Sequence, residues 1–238
     1  MKFSLVIPVF NEKGNISRLV AECQDVIPPE FLGEIIVVDD CSTDNSADEI
    51  LPLKNQYKNL RIIRHKTNAG QSAALRSGIL EAKFEVIAQL DGDGQNDPAD
   101  LVKLLARLGQ PGTDGPALIG GVRTNRKDTG SKRMASRLAN KIRDWALNDH
   151  CPDTGCGTKV YWRDAFLKLP FFTSIHRYLP AMFQTYGFLC DYVDVNDRPR
   201  GHGKSKYNNL NRAIVGLYDL LGVRWLRART KSPDIEEL

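Results

Sequence analysis

Asp91 and Asp93, with Gly92 between them and Gly94-Gln95 after them, are the residues of this chain best suited to chemistry. They close the apolar run Val86-Ile-Ala-Gln-Leu90. On an extended backbone, residues two apart point to the same side, so two carboxylates at this spacing can face one ion together. The glycines remove side chains beside them and let bulky groups approach the backbone. Such an oxygen-rich set suits Mg²⁺ or Mn²⁺, which commonly bridge protein carboxylates to substrate phosphates. Asp97-Pro98 then reads as a helix N-cap followed by proline at the first helical position. Alone, Asp-x-Asp is more simply a solvated acidic turn. The elements around it decide.

In the first half of the chain, strand and helix patterns alternate. Phe3–Val9, Glu34–Val38, Leu60–Arg64, Phe84–Leu90 and Ala117–Gly121 are short apolar runs, predicted as strands. Between them lie helical patterns over Ile16–Ile27, from Ser42 or Thr43 to about Lys54, over the small-residue stretch Gly70–Ala82, and over Pro98–Leu108. Continuous apolar strands alternating with helices predict an α/β fold, a mostly parallel central sheet flanked by helices on both faces. Ligands of such sheets collect at the carboxyl ends of the strands. The polar punctuation falls there: Asn11-Glu12, Asp39-Asp40 and Asp91-x-Asp93. Three acidic strand ends on one rim point to a site.

The chain has 238 residues and 42% hydrophobic composition, enough for one large domain or two small ones. Its first apolar run turns polar too soon for a signal peptide, and no run approaches the ~20 residues of a membrane span. Five cysteines without a framework spacing fit a reducing compartment, and Cys151-x4-Cys156 lacks a second pair for zinc, so buried thiols are expected. The formal charge of +4 is uneven: nine Lys/Arg face the single acid Asp219 between Arg198 and Lys231. Such a segment seeks phosphates on nucleic acid, anionic lipid or a substrate. Two nucleotide-site mimics fail. Gly92-x-Gly94 lacks the third glycine of a dinucleotide fingerprint, and Gly201-His-Gly-Lys-Ser205 has Arg198 where a P-loop needs its first glycine.

Val6-Ile-Pro-Val-Phe-Asn-Glu12, Val37-Val-Asp-Asp-Cys-Ser-Thr-Asp44, Asn68-Ala-Gly-Gln71 and Asp91-Gly-Asp-Gly-Gln95 occur in the order found in glycosyltransferase family 2. The chain resembles the polyprenol-phosphate (dolichol-phosphate-mannose-synthase-like) branch of that family, through Gly121-Val-Arg123, Asp153-Thr-Gly-Cys-Gly157 and Arg198-Pro-Arg-Gly-His-Gly-Lys-Ser-Lys-Tyr207. The resemblance implies a GT-A fold, a UDP- or GDP-linked sugar donor, a divalent metal (Mg²⁺ or Mn²⁺) and inversion at the sugar carbon. It further implies a catalytic domain over residues 1–210, with a donor half to about 125 and an acceptor half from 126, and a C-terminal amphipathic basic helix and acidic tail over 211–238. Many relatives continue into transmembrane helices.

Site roles follow residue by residue from the same resemblance. Pro8, Phe10 and Glu12 correspond to the base- and ribose-binding turn, and Asp39 to the acceptor of the base's ring N–H. Asp40 reads instead as a cap. Asp91 is placed at the ribose or the metal, and Asp93 and Gln95 at the metal, whose charge offsets the leaving diphosphate. Arg123 corresponds to a diphosphate clamp, and Asp153 to a catalytic or acceptor-side carboxylate. Arg133 and Arg137, on a helix predicted from near Ser131, would reach the same pocket. A phosphate acceptor is mostly dianionic at neutral pH, so it needs cationic positioning more than a strong base. Arg137, Arg198, Arg200, Lys204 and Lys206 are assigned to that task. His176 reads as structural, and Arg177 as a contact for sugar or acceptor.

Asn211–Arg229 carries Leu217, Tyr218, Leu221, Trp225 and further apolar residues among arginines. That composition suits either an interfacial helix or a core-packing face. The expectation is therefore an inverting, metal-dependent glycosyltransferase, cytoplasmic and peripherally bound at the cytosolic membrane face, that acts on a polyprenyl phosphate. Oligomeric state stays open. A family 2 transferase acting on a saccharide hydroxyl is the alternative, with Asp153 or a neighbour as base. A basic phosphate- or nucleic-acid-binding module would need the basic segment but not the acidic rim, and no nucleic-acid partner is expected.

Overall fold

A computed structural model describes residues 1–110, 113–124, 142–199 and 209–231, with the backbone alone over 209–214. Seven strands form one sheet: β1 Phe3–Val9, β2 Leu32–Asp39, β3 Leu60–Arg64, β4 Val86–Gln89, β5 Leu118–Arg123, β6 Lys159–Trp162 and β7 Cys190–Val195. Their spatial order is β3-β2-β1-β4-β6-β5-β7. β1, β2, β3 and β4 pair in parallel, as do β5 and β7, while β6 runs antiparallel between β4 and β5.

Alternate residues of the central strands enter opposite cores. Leu5, Ile7, Ile35 and Val37 face one side with Ile16, Leu19 and Leu104. Val6, Ile36 and Val38 face the other with Leu75, Ile79 and Phe183. Both faces of β1 and β2 are therefore buried, which is why these strands are apolar throughout rather than alternating. Helices α1 Ile16–Val26 and α5 Asp100–Arg107 cover the first face, and α4 Gln71–Leu80 the second. Gly78 lets α4 lie close on β1, since a Cβ there would stand 2.4 Å from Val6 Cγ1.

Several elements differ from the expectation. The helix predicted from Ser42 to Lys54 is two short ones, α2 Ser46–Ile50 and α3 Leu53–Gln56, divided at Leu51-Pro52. Proline lacks the N–H that would continue the ladder. Neither Ser42 nor Thr43 starts the helix: α2 begins at Ser46 after Asn45, and in the turn before it Asp44 Oδ1 accepts Ser46 N–H at 3.0 Å. Helix α5 begins at Asp100; Asp97 still accepts Ala99 N–H at 3.1 Å in the turn before it. Strand β4 pairs with β6, a strand that the sequence patterns do not mark.

The C-terminal helix Asn209–Arg229 crosses residue 210 without a break. Leu220 and Val223 are buried in the second core, while Leu217, Tyr218, Leu221 and Trp225 are exposed. The inward and outward faces are thus both apolar, so core packing and an apolar outer stripe hold on different sides of one helix. Among the described residues no helix is long and apolar enough to cross a membrane. The cysteines are free, with Cys23, Cys151 and Cys156 buried.

Candidate active site

The carboxyl ends of β1, β2 and β4 deliver the polar residues to one rim, as parallel strands must when they share a direction. After β1, the turn at Phe10–Gly14 is stitched to α2 and to the loop before it. Asn11 N–H donates to Ser42 Oγ (2.9 Å), Glu12 N–H to Ser46 Oγ (2.8 Å), and Gly14 N–H to Glu49 Oε2 (2.8 Å). The Glu12 carboxylate accepts from Asn15 Nδ2 at 2.9 Å. Phe10 keeps its ring exposed above that turn.

After β2, two neighbouring aspartates have different duties. Asp39, buried, accepts Ser42 N–H at 3.1 Å and Arg64 Nε–H at 3.0 Å. Asp40, also buried, accepts Ala69 N–H (2.9 Å), Gly70 N–H (2.7 Å) and, at 2.7 Å, His65 Nδ1. A carboxylate can only accept, so His65 donates from Nδ1, and its Nε2 shares a hydrogen bond of 2.9 Å with Ser77 Oγ. The cap at Asp40 therefore serves the start of α4, not the next helix in the chain.

After β4, Asp91 and Asp93 come together through a turn, not an extended strand, because the strand stops at Gln89. Asp91 Oδ1 accepts from Gln71 Nε2 at 2.9 Å. Burial, and then repulsion by Asp93, lift the Asp91 pKa to about 6 against the opposing charges of Lys159 and Arg123. A cation would relieve both effects. Asp93 Oδ1 accepts Gln95 N–H at 3.1 Å and opens on a cleft of about 350 Å³ beside Asn15, Glu22 and Arg198. Among the described residues no three His, Cys, Asp or Glu side chains form a metal cage. The two carboxylates and the Gln95 amide are hard oxygen donors of the kind that would hold Mg²⁺ or Mn²⁺, with substrate phosphate and water in the remaining positions. The donor set fits such an ion. Gly157 lies directly against Asp91, where a Cβ would stand 2.2 Å from Oδ2.

Arg123, at the end of β5, is paired with Asp153: Nε to Oδ2 at 2.7 Å and Nη2 to Oδ1 at 2.9 Å. Burial disfavours the arginine's charge, but the Asp153 contacts outweigh it and hold the guanidinium pKa above its ordinary value. Arg198 pairs with Glu22 at 2.6 Å and Asp97 at 2.8 Å. His176 shares a hydrogen bond of 2.7 Å with Ser72 Oγ. Burial, with Arg177 and Lys159 nearby, lowers its pKa to about 3, so it is neutral and serves the packing of α4. Arg133, Arg137, Arg200, Lys204 and Lys206 lie outside the described residues.

Two residues near Asp91 had no role in the sequence reading. Gln71 orients it, and Lys159, buried in β6, gives its ammonium to Cys156 O while its charge favours ionised Asp91. The signal for Lys159 was a charged residue heading a β-branched and aromatic run, Lys159-Val-Tyr-Trp162. Of the foreseen residues, Asp91, Asp93, Gln95, Arg123, Asp153 and Arg198 are gathered around the β4 turn, and Pro8, Phe10, Glu12 and Asp39 around the neighbouring β1 and β2 ends.

Comparison with known proteins gives the family and the fold. The model of the family described as glycosyl transferase family 2 matches residues 4–169. An undecaprenyl-phosphate 4-deoxy-4-formamido-L-arabinose transferase of Serratia proteamaculans (strain 568) is 31% identical over 225 residues, 92% of this chain and 67% of that protein. A dodecaprenyl-phosphate galacturonate synthase of Rhizobium johnstonii is 31% identical over 238 residues, 98% of this chain and 69% of its own. The chain thus spans about two thirds of the length of these relatives. Glucosyl-3-phosphoglycerate synthase from Mycobacterium tuberculosis, solved with Mn²⁺, UDP and glucosyl-3-phosphoglycerate, superposes with a TM-score of 0.70 at 16% identity, over 98% of this chain and 81% of that one. That likeness concerns the fold. With its match over 4–169 and these relatives, the chain belongs to glycosyl transferase family 2, in the polyprenol-phosphate branch, and is a glycosyltransferase of GT-A fold.

Proposed function

We propose that this glycosyltransferase moves a sugar, with inversion, from a nucleoside diphosphate to the phosphate oxygen of a polyprenyl phosphate. The observation that carries the reading is the half-buried acidic turn of Asp91 and Asp93, in reach of the charges of Arg123 and Lys159. Mg²⁺ or Mn²⁺ held by Asp91, Asp93 and Gln95 would offset the charge of the departing diphosphate. Pro8, Phe10, Glu12 and Asp39 hold the nucleoside, the ring of Phe10 forming an apolar wall. Arg123 stabilises the diphosphate, with Asp153 orienting its guanidinium. Arg137, Arg200, Lys204 and Lys206 position the acceptor phosphate.

The attacking oxygen is already ionised at neutral pH, so no strong base is required. Transfer to a saccharide hydroxyl would need one. Asp153 is poorly suited to that duty, since both its oxygens accept from Arg123. The outward stripe of the C-terminal helix, fringed by Arg224 and Arg229, would lie on the membrane surface at its cytosolic face. Trp145, exposed and with Arg224 5.8 Å above its ring, would extend that contact. The test supplies UDP- and GDP-linked sugars with Mn²⁺, and short polyprenyl phosphate, free prenol and simple sugars as parallel acceptors. Product on the phosphate is expected; transfer to a sugar hydroxyl and none to the phosphate would sink the proposal.

A further inference from the structure

Residues 196–198 are strapped to residues 95–100. Arg198 N–H donates to Gln95 O at 2.9 Å, Gln95 Nε2 donates back to Arg198 O at 3.3 Å, and Asn96 and Asp197 form an antiparallel bridge. Asn196 N–H donates to Asp100 Oδ2 at 2.7 Å. The side chain of Arg198 closes the strap. Its Nη1 meets Glu22 Oε1 on α1 at 2.6 Å and its Nη2 meets Asp97 Oδ2 at 2.8 Å. Basic residues in a loop normally invite the reading of phosphate ligand. Here the guanidinium is already neutralised by two carboxylates, and a dianionic phosphate approaching it would meet both.

We propose that Arg198 is a positioning residue of the metal loop, not a ligand of the acceptor phosphate: held between Glu22 and Asp97, it fixes the 196–198 strap against Gln95. The inference rests on the proposed cation site at Asp91, Asp93 and Gln95. An amide carries one donor and one acceptor branch, so spending Nε2 on the Arg198 carbonyl leaves the oxygen as the ligand atom. Partners of this kind, which orient a ligand without touching the metal, typically contribute about tenfold to a hundredfold in metal affinity. Glu22 belongs to the same device although it lies on a different element, far from the acidic turn in sequence. The cleft beside Asp93 is lined by Glu22 and Arg198 themselves, so the clasp forms one wall of the space above the turn.

Mn²⁺ binding, with and without UDP, is measured by calorimetry on the full chain for Arg198→Ala and Glu22→Ala, with Asp93→Ala as control and thermal melting alongside. Arg198→Ala is expected to weaken Mn²⁺ by about tenfold, Glu22→Ala to weaken it in the same direction, and the acceptor KM at saturating donor and metal to stay near that of the parent. Unchanged Mn²⁺ affinity in Arg198→Ala with a raised acceptor KM would overturn the proposal and return Arg198 to the phosphate. If Arg198→Ala does not fold, Glu22→Ala decides by itself, unchanged Mn²⁺ affinity counting against the clasp. Loss of Mn²⁺ binding in Asp93→Ala with none in the two clasp variants refutes the clasp alone. Retention in Asp93→Ala refutes the cation site beneath it.

Discussion

Arg123 and Asp153, thirty residues apart in the chain, join as a two-pronged ion pair at the edge of the acidic turn. The side chains are 16% and 6% exposed, so the pair is shielded from water. Removing one partner strands a buried charge. Arg123→Ala and Asp153→Ala are each expected to lose about 3 kcal/mol in urea unfolding. The double variant should lose less than the sum, as coupled neighbours do. Additive losses would show that the two charges are stabilised by other groups.

Asp93→Ala is expected to abolish turnover and Mn²⁺-dependent donor binding while the melting temperature holds. The residue stands in the turn after β4, outside both hydrophobic cores. Excess chelator should silence the parent enzyme equally. Full activity under either condition would remove the cation from the mechanism.

Asp39→Asn separates recognition from stability. The variant loses its charge toward Arg64, whose side chain is largely exposed, so only a small loss of stability is expected. A base contact through the carboxylate is worth about 1.5–3 kcal/mol. Calorimetry with UDP and GDP should therefore show a larger loss than unfolding does. The reverse order would make Asp39 a purely structural cap of the turn at Ser42.

His176 predicts a pH dependence of stability. Its folded pKa near 3 lies below the unfolded value near 6.5. Above 6.5 neither state holds the proton and the contribution is complete. As pH falls from 6.5 toward 3, the unfolded chain takes up a proton that the native chain refuses, and stability is lost. The slope from this group is at most about 1.4 kcal/mol per pH unit. His176→Gln should flatten the acid limb of a melting-temperature profile; an unchanged limb would place the sensitivity elsewhere.

Trp225→Ala should reduce flotation with anionic liposomes and leave the melting temperature unchanged, because its ring is on the outward face at 62% exposure. Leu220→Ala, on the inward face of the same helix, should do the opposite and lower the melting temperature. Equal liposome binding by parent and Trp225→Ala would dismiss the outer stripe as a membrane contact.

Much of the donor half was legible because its chemistry is local. Apolar runs such as Phe3–Val9 and Glu34–Val38 specify buried parallel strands without knowledge of partners, and polar residues directly after them must fall at one rim. The short antiparallel strand Lys159–Trp162 was not read. Four residues carry too little periodicity, and its place between β4 and β5 depends on pairing with segments more than thirty residues away.

Residue types and spacing by themselves determined the α/β layering, the acidic turn after β4 and the oxygen-ligand chemistry open to Asp91 and Asp93. Tertiary structure alone decided which charges are engaged. Arg123 and Arg198 look alike in sequence as cations near glycines, yet one meets Asp153 and the other Glu22 and Asp97. It likewise assigned Asp39 to the Ser42 turn and Asp40 to the start of α4, although the two are adjacent. It also brought Lys159 near Asp91 and turned Trp225 outward from Leu220. Strand and helix follow from patterns a few residues long, whereas an ion pair depends on through-space distances of a few ångströms that only the folded chain sets.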